Sequence, residues 1–133
     1  MRGEFLDSNI VLYLLDGGPK AAIAEQLLAG GPTISVQVLN EVLVNCIRKA
    51  GMSWDEAGTF LNGVRQVCGV VGLSEQTHDA GRALGVRYGF SVYDSMIVAS
   101  ALIAGCDILY SEDMQDGLAV EGVLRIVNPF VAA

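Results

Sequence analysis

The chain has 133 residues, of which 52% are hydrophobic and 17% charged, and its 15 acids against 8 bases give a formal net charge of −7. This composition excludes a disordered chain and predicts one compact domain, residues 1–133, with a core of its own. The acidic balance argues against a surface for nonspecific nucleic-acid binding but not against a nucleic-acid enzyme, because four acids in one site would account for more than half of the net charge.

Apolar segments alternate with helical patterns along the chain. Strands are predicted at residues 5–7, 33–35, 67–73, 108–110 and 124–127. Helices are predicted at residues 8–15, 19–29, 36–49, 54–66 and 75–88, and from Ser91 along the apolar run that ends before Gly105. A loop or short turn follows Asp116-Gly117. The alternation predicts a parallel sheet covered on both faces, an α/β/α sandwich.

Three cysteines are spread through apolar segments without a CxxC spacing: Cys46, Cys68 and Cys106. An odd number of such thiols favours a reducing compartment and buried, unreactive side chains. Glu4 and Asp7 interrupt any apolar stretch that would form a signal peptide. The apolar run from 95 to 106 is shorter than the ~20 residues that cross a bilayer. The sequence therefore predicts a cytoplasmic protein.

Asp7 ends the first predicted strand, and Asp113 lies just past the fourth. In open α/β sheets, ligands bind outside the carboxyl ends of the strands, where the strand order reverses. If these two strands are neighbours, the two carboxylates meet at that crevice. The structural alternative is that Asp7 caps a helix and Asp113 is a solvated turn residue, since caps and turns favour Asp.

Asp94 is the sharpest single candidate for a functional residue. The spacing Ser91-x-x-Asp94 fits a capping box, which gives the acid a structural explanation. Its helical neighbours at i+3, i+4 and i+7 are Ile97, Val98 and Ala101, so the carboxylate is expected to face packed structure. A buried carboxylate needs a partner or a metal ion, and the helix N-terminus helps to keep it ionised.

Glu41 lies on a polar helical stripe with Gln37, Asn45 and Arg48. This stripe is either solvated surface or the lining of a cleft, with Glu41 as a metal ligand and Arg48 near a phosphate. The spacing does not choose between the two.

The other polar candidates are weaker. Asp116 is either a further member of the site or a turn former before Gly117. His78, the only histidine, is predicted to lie on the surface, and one histidine cannot supply both the acid and the base of a metal-free ribonuclease. No G-x-S-x-G motif supports a serine hydrolase. The remaining late acids are predicted to be ordinary surface residues: Asp79, Asp107, Glu112 and Glu121.

Four segments occur in order along the chain: FLDSNIVLY at 5–13, SVQVLNEVLV at 35–44, YDSMIVASAL at 93–102 and ILYSEDMQD at 108–116. Together they resemble the PIN domain and, more narrowly, the VapC-type toxins of bacterial toxin–antitoxin pairs. The resemblance covers essentially the whole chain. It implies a parallel five-stranded sheet of order 3-2-1-4-5 between helices, which sets the strands before Asp7 and Asp113 side by side.

The resemblance also implies a site. The acidic quartet of the family falls on Asp7, Glu41, Asp94 and Asp113, while Asn9 and Ser111 match the small polar positions that orient it. Many members read T-x-D-x-D-F where this chain reads SEDMQD, so Asp116 is the alternative fourth acid. Four converging carboxylates repel one another unless a divalent cation compensates, and hard oxygen ligands suit Mg²⁺ or Mn²⁺.

The expected function is therefore Mg²⁺- or Mn²⁺-dependent hydrolysis of RNA phosphodiester bonds. Asp7 and Asp94 would be core ligands, and Glu41 and Asp113 would complete the site or orient the attacking water. Three arginines are candidates for contacts to backbone phosphates: Arg48, Arg82 and Arg87. The resemblance further implies a homodimer and a cognate antitoxin whose basic C-terminal segment blocks the acidic cleft.

Two alternatives stay open. A Mg²⁺-dependent phosphotransfer domain also places acids at strand ends, but such sites use a lysine late in the chain, and the only lysines here are Lys20 and Lys49. A PIN-like module that binds partners without nuclease activity is the other alternative, which the presence of all four acids disfavours.

Overall fold

The computed structural model describes residues 3–131, which contain six strands and six α-helices. The strands are β1 Gly3–Leu6, β2 Thr33–Ser35, β3 Gly69–Val71, β4 Cys106–Tyr110, β5 Ala119–Val120 and β6 Leu124–Val127. The helices are α1 Ser8–Leu12, α2 Pro19–Ala29, α3 Val36–Arg48, α4 Trp54–Val67, α5 Glu75–Tyr88 and α6 Val92–Ile103. A 3₁₀ turn, Tyr13–Leu15, extends α1.

The strands form one sheet of order β3-β2-β1-β4-β6-β5, in which every pair is parallel except β5 with β6. β1 is central and pairs with both β2 and β4. Its last residue, Leu6, lies opposite Tyr110, the last residue of β4. The amide of Asp7 continues the ladder by donating to the Tyr110 carbonyl at 3.0 Å. The carboxyl ends of β1 and β4 therefore meet at one edge of the sheet.

Helices cover both faces of the sheet. Phe5 and Leu6 are adjacent in β1, so their side chains point to opposite faces, yet both are fully buried. The mostly parallel sheet between helices confirms the predicted α/β class. The three cysteines are buried and free, as expected. Within residues 3–131, no helix is both long and apolar enough to cross a membrane.

The strand count differs from the predicted five because of β5. The sequence predicts a loop or turn at these residues, because a two-residue strand is too short to show a period-2 pattern. Glu121 and Gly122 have positive φ angles of 54° and 70° and turn the chain back, so that Val120 pairs with Leu124 in β6. The fully buried Val120 anchors this hairpin in the core.

Several element boundaries also differ from the expected ones. β1 and β4 begin earlier than predicted, at Gly3 and Cys106, and β1 ends at Leu6 rather than at Asp7. The first helix changes to a 3₁₀ turn at Tyr13. α4 continues through Val67, and the amide of its C-cap Cys68 still donates to the Val64 carbonyl at 3.1 Å. β3 is confined to Gly69–Val71. Strand propensity alone extended this strand too far at both ends.

Candidate active site

Asp7 lies at the centre of the site and is almost completely buried, with 3% of its surface exposed. It is the N-cap of α1, and its Oδ1 accepts a 2.7 Å hydrogen bond from the amide of Ser8. Its Oδ2 accepts bonds from the Ser111 hydroxyl at 2.7 Å and from the Asn9 amide at 3.2 Å. The capping role and the central position in the site are thus held by one carboxylate.

Asn9 joins Asp7 to Asp113. Its Nδ2 lies 3.2 Å from Asp7 Oδ2 and 3.0 Å from Asp113 Oδ2, and its Oδ1 accepts a bond from the Glu112 amide at 3.2 Å. Ser111, fully buried, also accepts from the amide of Asp113 at 3.3 Å. Asn9 and Ser111 therefore hold the segment after β4 in place beside Asp7.

Glu41 reaches the same place from α3. Its Oε1 accepts a 3.0 Å bond from the Ser8 hydroxyl, and its Oε2 accepts a 2.7 Å bond from Gln37, one turn earlier on the helix. Ser8 Oγ also lies 3.4 Å from Asp7 Oδ1. Since Glu41 is only partly exposed and contacts α1, the polar stripe of α3 lines a cleft at this point rather than open surface.

Asp94 enters from the first turn of α6. The Ser91 hydroxyl accepts from the Asp94 amide at 3.3 Å, which is half of a capping box. α4 and α5 both have complete capping boxes, whereas among the described residues the Ser91 backbone amide does not donate a reciprocal bond to the Asp94 carboxylate. Burial of the carboxylate is the largest cause of its raised pKa. A hydrogen bond with the Ser91 side chain lowers that pKa, and the carboxylates of Glu41 and Asp113 raise it further.

Close packing of α5 on α6 fixes the position of Asp94. A Cβ atom on Gly81 would lie 2.6 Å from Met96 Sδ, and one on Gly85 would lie 3.1 Å from Ser95 Oγ. A side chain at Gly85 would press on Ser95, the residue after Asp94, whereas one at Gly81 would displace the flexible end of the Met96 side chain. The helices can approach this closely because both contact positions lack a side chain.

The electrostatics of the site follow from burial and repulsion. The pKa of Asp7 is raised to about 6, mainly by burial, while the hydrogen bonds from Ser111 and Ser8 lower it and the carboxylates of Asp94 and Glu41 raise it further. Burial is also the main cause of the raised pKa of Asp94. Negative charge at this edge is therefore costly unless a positive charge lies nearby.

The remaining sequence candidates lie elsewhere or have other partners. Asp116 is exposed and accepts a 2.8 Å bond from the Asn128 amide, which ties it to the end of β6 and not to Asp7. Arg87 forms an ion pair of 3.0 Å with Glu121. His78 is exposed, as predicted. Two arginines are exposed on α3 and α5, respectively: Arg48 and Arg82.

Glu112 has a larger role than the surface position predicted for it. Its carboxylate accepts from the Tyr13 hydroxyl at 2.6 Å and pairs with Lys20, which also lies 5.1 Å from the Phe130 ring centre. Its backbone amide contacts Asn9. This network braces the segment that carries Asp113. Its partners are 92 and 99 positions away along the chain, so no local pattern points to it.

The donor set suits a hard divalent cation. The four acids Asp7, Glu41, Asp94 and Asp113 offer only oxygen ligands, which Mg²⁺ and Mn²⁺ prefer. The raised pKa of the buried Asp7 is what a cation would lower. Within residues 3–131, no three Asp, Glu, His or Cys side chains are arranged so that they could hold a metal ion without moving.

Comparison with known proteins gives one family. The family model described as the PIN domain matches residues 5–118, which is most of the chain. No curated protein sequence is significantly similar to the chain.

Several solved structures share the fold. A toxin–antitoxin complex from Klebsiella pneumoniae has a TM-score of 0.73 at 21% identity and covers 96% of this chain and 98% of its own. The DNA-bound VapBC of Salmonella typhimurium has a TM-score of 0.69 at 18% identity, covering 95% and 97%. VapC20 of Mycobacterium tuberculosis, a toxin that cleaves the sarcin–ricin loop, has a TM-score of 0.67 at 21% identity, covering 83% and 89%.

Proposed function

The chain belongs to the PIN domain family, and from that premise we propose that it is a divalent-metal-dependent ribonuclease, the toxin of a type II toxin–antitoxin pair. The observation that carries the proposal is that Asn9 hydrogen-bonds to both Asp7 and Asp113 where β1 and β4 end, with Glu41 and Asp94 near enough to raise the pKa of Asp7. The pKa of Asp7 responds to Asp94 and Glu41, and that of Asp94 responds to Glu41 and Asp113. Such a cluster has a high energetic cost, which a metal-dependent function explains.

Asp7, Glu41, Asp94 and Asp113 would hold Mg²⁺ or Mn²⁺, which when bound supplies charge stabilisation at the scissile phosphate and a more acidic water. Asp7 and Asp94 are proposed as the core ligands, since Asp7 is buried and Asp94 is half-buried, whereas Asp113 is exposed. Glu41 keeps its orientation through Ser8 and Gln37 and is suited to accept a proton from the attacking water. Asp113 is preferred over Asp116 as the fourth acid, since Asn9 links it to Asp7.

Asn9 and Ser111 are positioning residues in this scheme, because each hydrogen-bonds to an acid of the quartet. Arg48, exposed two turns after Glu41 on the same face of α3, is proposed to contact a backbone phosphate of the RNA. Arg87 is less suited to that role because Glu121 already pairs with it.

The same proposal includes partners and location. Residues 1–133 are proposed to form a single PIN-like domain that acts as a cytoplasmic homodimer. A cognate antitoxin would insert a basic segment into the acidic cleft, where opposite charge favours it. Toxin–antitoxin complexes among the structures of the same fold support this partner.

The direct test is RNA cleavage by the purified protein with Mg²⁺ or Mn²⁺, compared with the variant Asp94→Asn. We expect the wild type to cleave and the variant to lose activity by at least ~100-fold at unchanged circular dichroism. Asp79→Asn, which changes an exposed acid on α5, is the matched control and should retain activity. Excess EDTA should abolish cleavage by the wild type.

Full cleavage by Asp94→Asn, or by the wild type in EDTA, would rule out the metal mechanism. No cleavage of any RNA together with transfer of a phosphoryl group to Asp7 would favour the phosphotransfer alternative. Absence of both activities with tight binding of a partner protein would favour the binding module.

A further inference from the structure

A cleft of about 370 Å³ lies beside the acidic site, between α3 and the start of α6. It is lined by Gln37, Asn40, Glu41, Val44, Asn45 and Tyr93. Its volume falls in the lower part of the range of small-ligand sites, ~300–1,000 Å³. Glu41 belongs both to the lining and to the acidic quartet, so a group bound in this cleft lies next to the reacting centre.

Tyr93 is the main feature of this cleft. It is 63% exposed although it directly precedes Asp94, and Val44, across the cleft on α3, is 48% exposed. A flat partner that covers an exposed aromatic ring removes apolar surface from water, and stacking of the two rings adds further binding free energy. The ring stands at the mouth of the cleft without being needed for the core.

Three amide side chains share the lining with Tyr93. The NH₂ group of Gln37 is used on Glu41 at 2.7 Å, and that of Asn45 on the Glu41 carbonyl at 2.8 Å. These bonds fix the two side chains and leave their carbonyl oxygens as acceptors. Asn40 is exposed and can offer both donor and acceptor. Amides in fixed orientation are the groups that read the edges of bases.

The net charge of the chain also favours base stacking over phosphate contacts as a source of affinity for RNA. The chain carries −7, and two of its eight bases, Lys20 and Arg87, are already paired with acids. Attraction to phosphates alone is therefore a weak source of affinity for RNA. Stacking of bases on aromatic rings does not depend on net charge and is tolerant of sequence.

Resting on the proposed ribonuclease activity, we infer that this cleft binds an unpaired nucleobase of the RNA substrate, stacked on Tyr93 and hydrogen-bonded by the amides of α3. The base would belong to the nucleotide next to the scissile phosphate, because Glu41 separates the cleft from the other acids. Such a site requires a single-stranded or flipped-out nucleotide, since a paired base has no free face to stack on the ring.

The test measures binding apart from cleavage. Fluorescence anisotropy of a labelled single-stranded RNA in EDTA, where the proposed reaction does not proceed, gives the Kd of each variant. We expect Tyr93→Ala to weaken binding by roughly 5- to 100-fold, the usual loss for one stacked base. Tyr93→Phe keeps the ring and should stay within about 2-fold of the wild type. Val92→Ala, which changes the adjacent exposed residue on the same turn, is the matched control.

The outcome depends on how the affinities of the variants differ and on whether the RNA is single-stranded or paired. Equal affinity of Tyr93→Ala and Val92→Ala for single-stranded RNA would overturn the base-binding cleft, even if the wild type cleaves RNA. An equal loss on a fully paired duplex would overturn it as well. Loss of affinity for a basic peptide with unchanged RNA affinity would assign the cleft to a protein partner instead. A wild type that neither cleaves nor binds RNA would remove the ribonuclease premise itself.

Discussion

The hydroxyl of Ser111 donates a 2.7 Å hydrogen bond to the carboxylate of Asp7, although 104 positions separate them along the chain. Both side chains are buried where β1 and β4 end. Among the groups that contact Asp7, this hydroxyl does most to lower its pKa. The same oxygen accepts from the amides of Asp113 and Met114 at 3.3 Å. Ser111 therefore tunes one acid and positions the segment that carries another.

Ser111→Ala should lower the free energy of unfolding by about 1–3 kcal/mol, because it leaves buried acceptors and donors unsatisfied. Urea unfolding monitored by circular dichroism measures the change. Ser100→Ala is the matched control: this serine is equally buried, but among the described residues its Oγ has no hydrogen-bond partner. Its removal should be neutral within ~0.5 kcal/mol or stabilising. Equal losses in both variants would contradict the role given to Ser111.

Asp7→Asn should change the pH dependence of stability. The pKa of Asp7 is raised from 3.8 to about 6, so between these values the folded state holds a proton that the unfolded state releases. Without divalent cation, wild-type stability should therefore fall as pH rises from about 4 to about 6 and stay lower above it. Relative to wild type, the variant should gain up to ~3 kcal/mol across this window.

Urea midpoints in EDTA at several pH values between 4 and 7 test this expectation. The informative quantity is the change with pH of the stability difference between variant and wild type. The absolute difference is not used, because the variant also alters the hydrogen bonds with Ser111 and Asn9. A stability difference that stays constant over the window would show that Asp7 titrates at its usual pKa. Asp79→Asn serves as the exposed control.

Asp113→Asn and Asp116→Asn should respond differently to metal. In the wild type, Mn²⁺ at about 100 times its Kd should raise Tm by on the order of 10 °C. Asp113→Asn should lose most of that rise, because Asp113 shares Asn9 with Asp7. Asp116→Asn should keep it, since Asp116 binds the Asn128 amide instead. The reverse pattern in differential scanning fluorimetry would make Asp116 the fourth ligand.

Arg48→Gln should weaken single-stranded RNA binding and make it less sensitive to salt. Each phosphate contact contributes about 0.7 to the slope of log K against log salt on single strands, so the slope should become shallower by about that amount. Arg87→Gln should change neither value because Glu121 already pairs with this guanidinium. Anisotropy titrations over a salt series measure both slopes. Identical slopes for wild type and Arg48→Gln would exclude the phosphate contact.

The sequence predicted the class of fold better than it predicted which side chains contact one another. Alternating strands and helices were sufficient for the α/β class. The capping residue Ser91 and the apolar face after it indicated that the helix that carries Asp94 begins directly after Ser91. Strand neighbours, by contrast, depend on packing over long separations, and only the family resemblance placed the first and fourth strands together.

The residues whose contacts the sequence did not predict share one property: their hydrogen-bond partners are distant in the chain. Spacing could not decide whether Glu41 faces solvent, because the answer depends on Ser8, 33 positions earlier. Glu112 read as an ordinary surface acid because Lys20 and Tyr13 lie far upstream. Strand β5 escaped detection for a different reason, its two-residue length. Local patterns thus describe elements, while the site depends on contacts between them.

The central position of β1 in the sheet also determines at what stage of protein synthesis the site can form. Asp7 and Glu41 are synthesised first, and the strand that completes the crevice, β4, and the acid beyond it, Asp113, are synthesised only after them. A nascent polypeptide grows by ~5–20 residues per second and folds from its N-terminal side. Until β4 has emerged and paired with β1, the quartet cannot assemble. A nascent chain that stops before β4 therefore lacks a complete site and should not show the proposed activity.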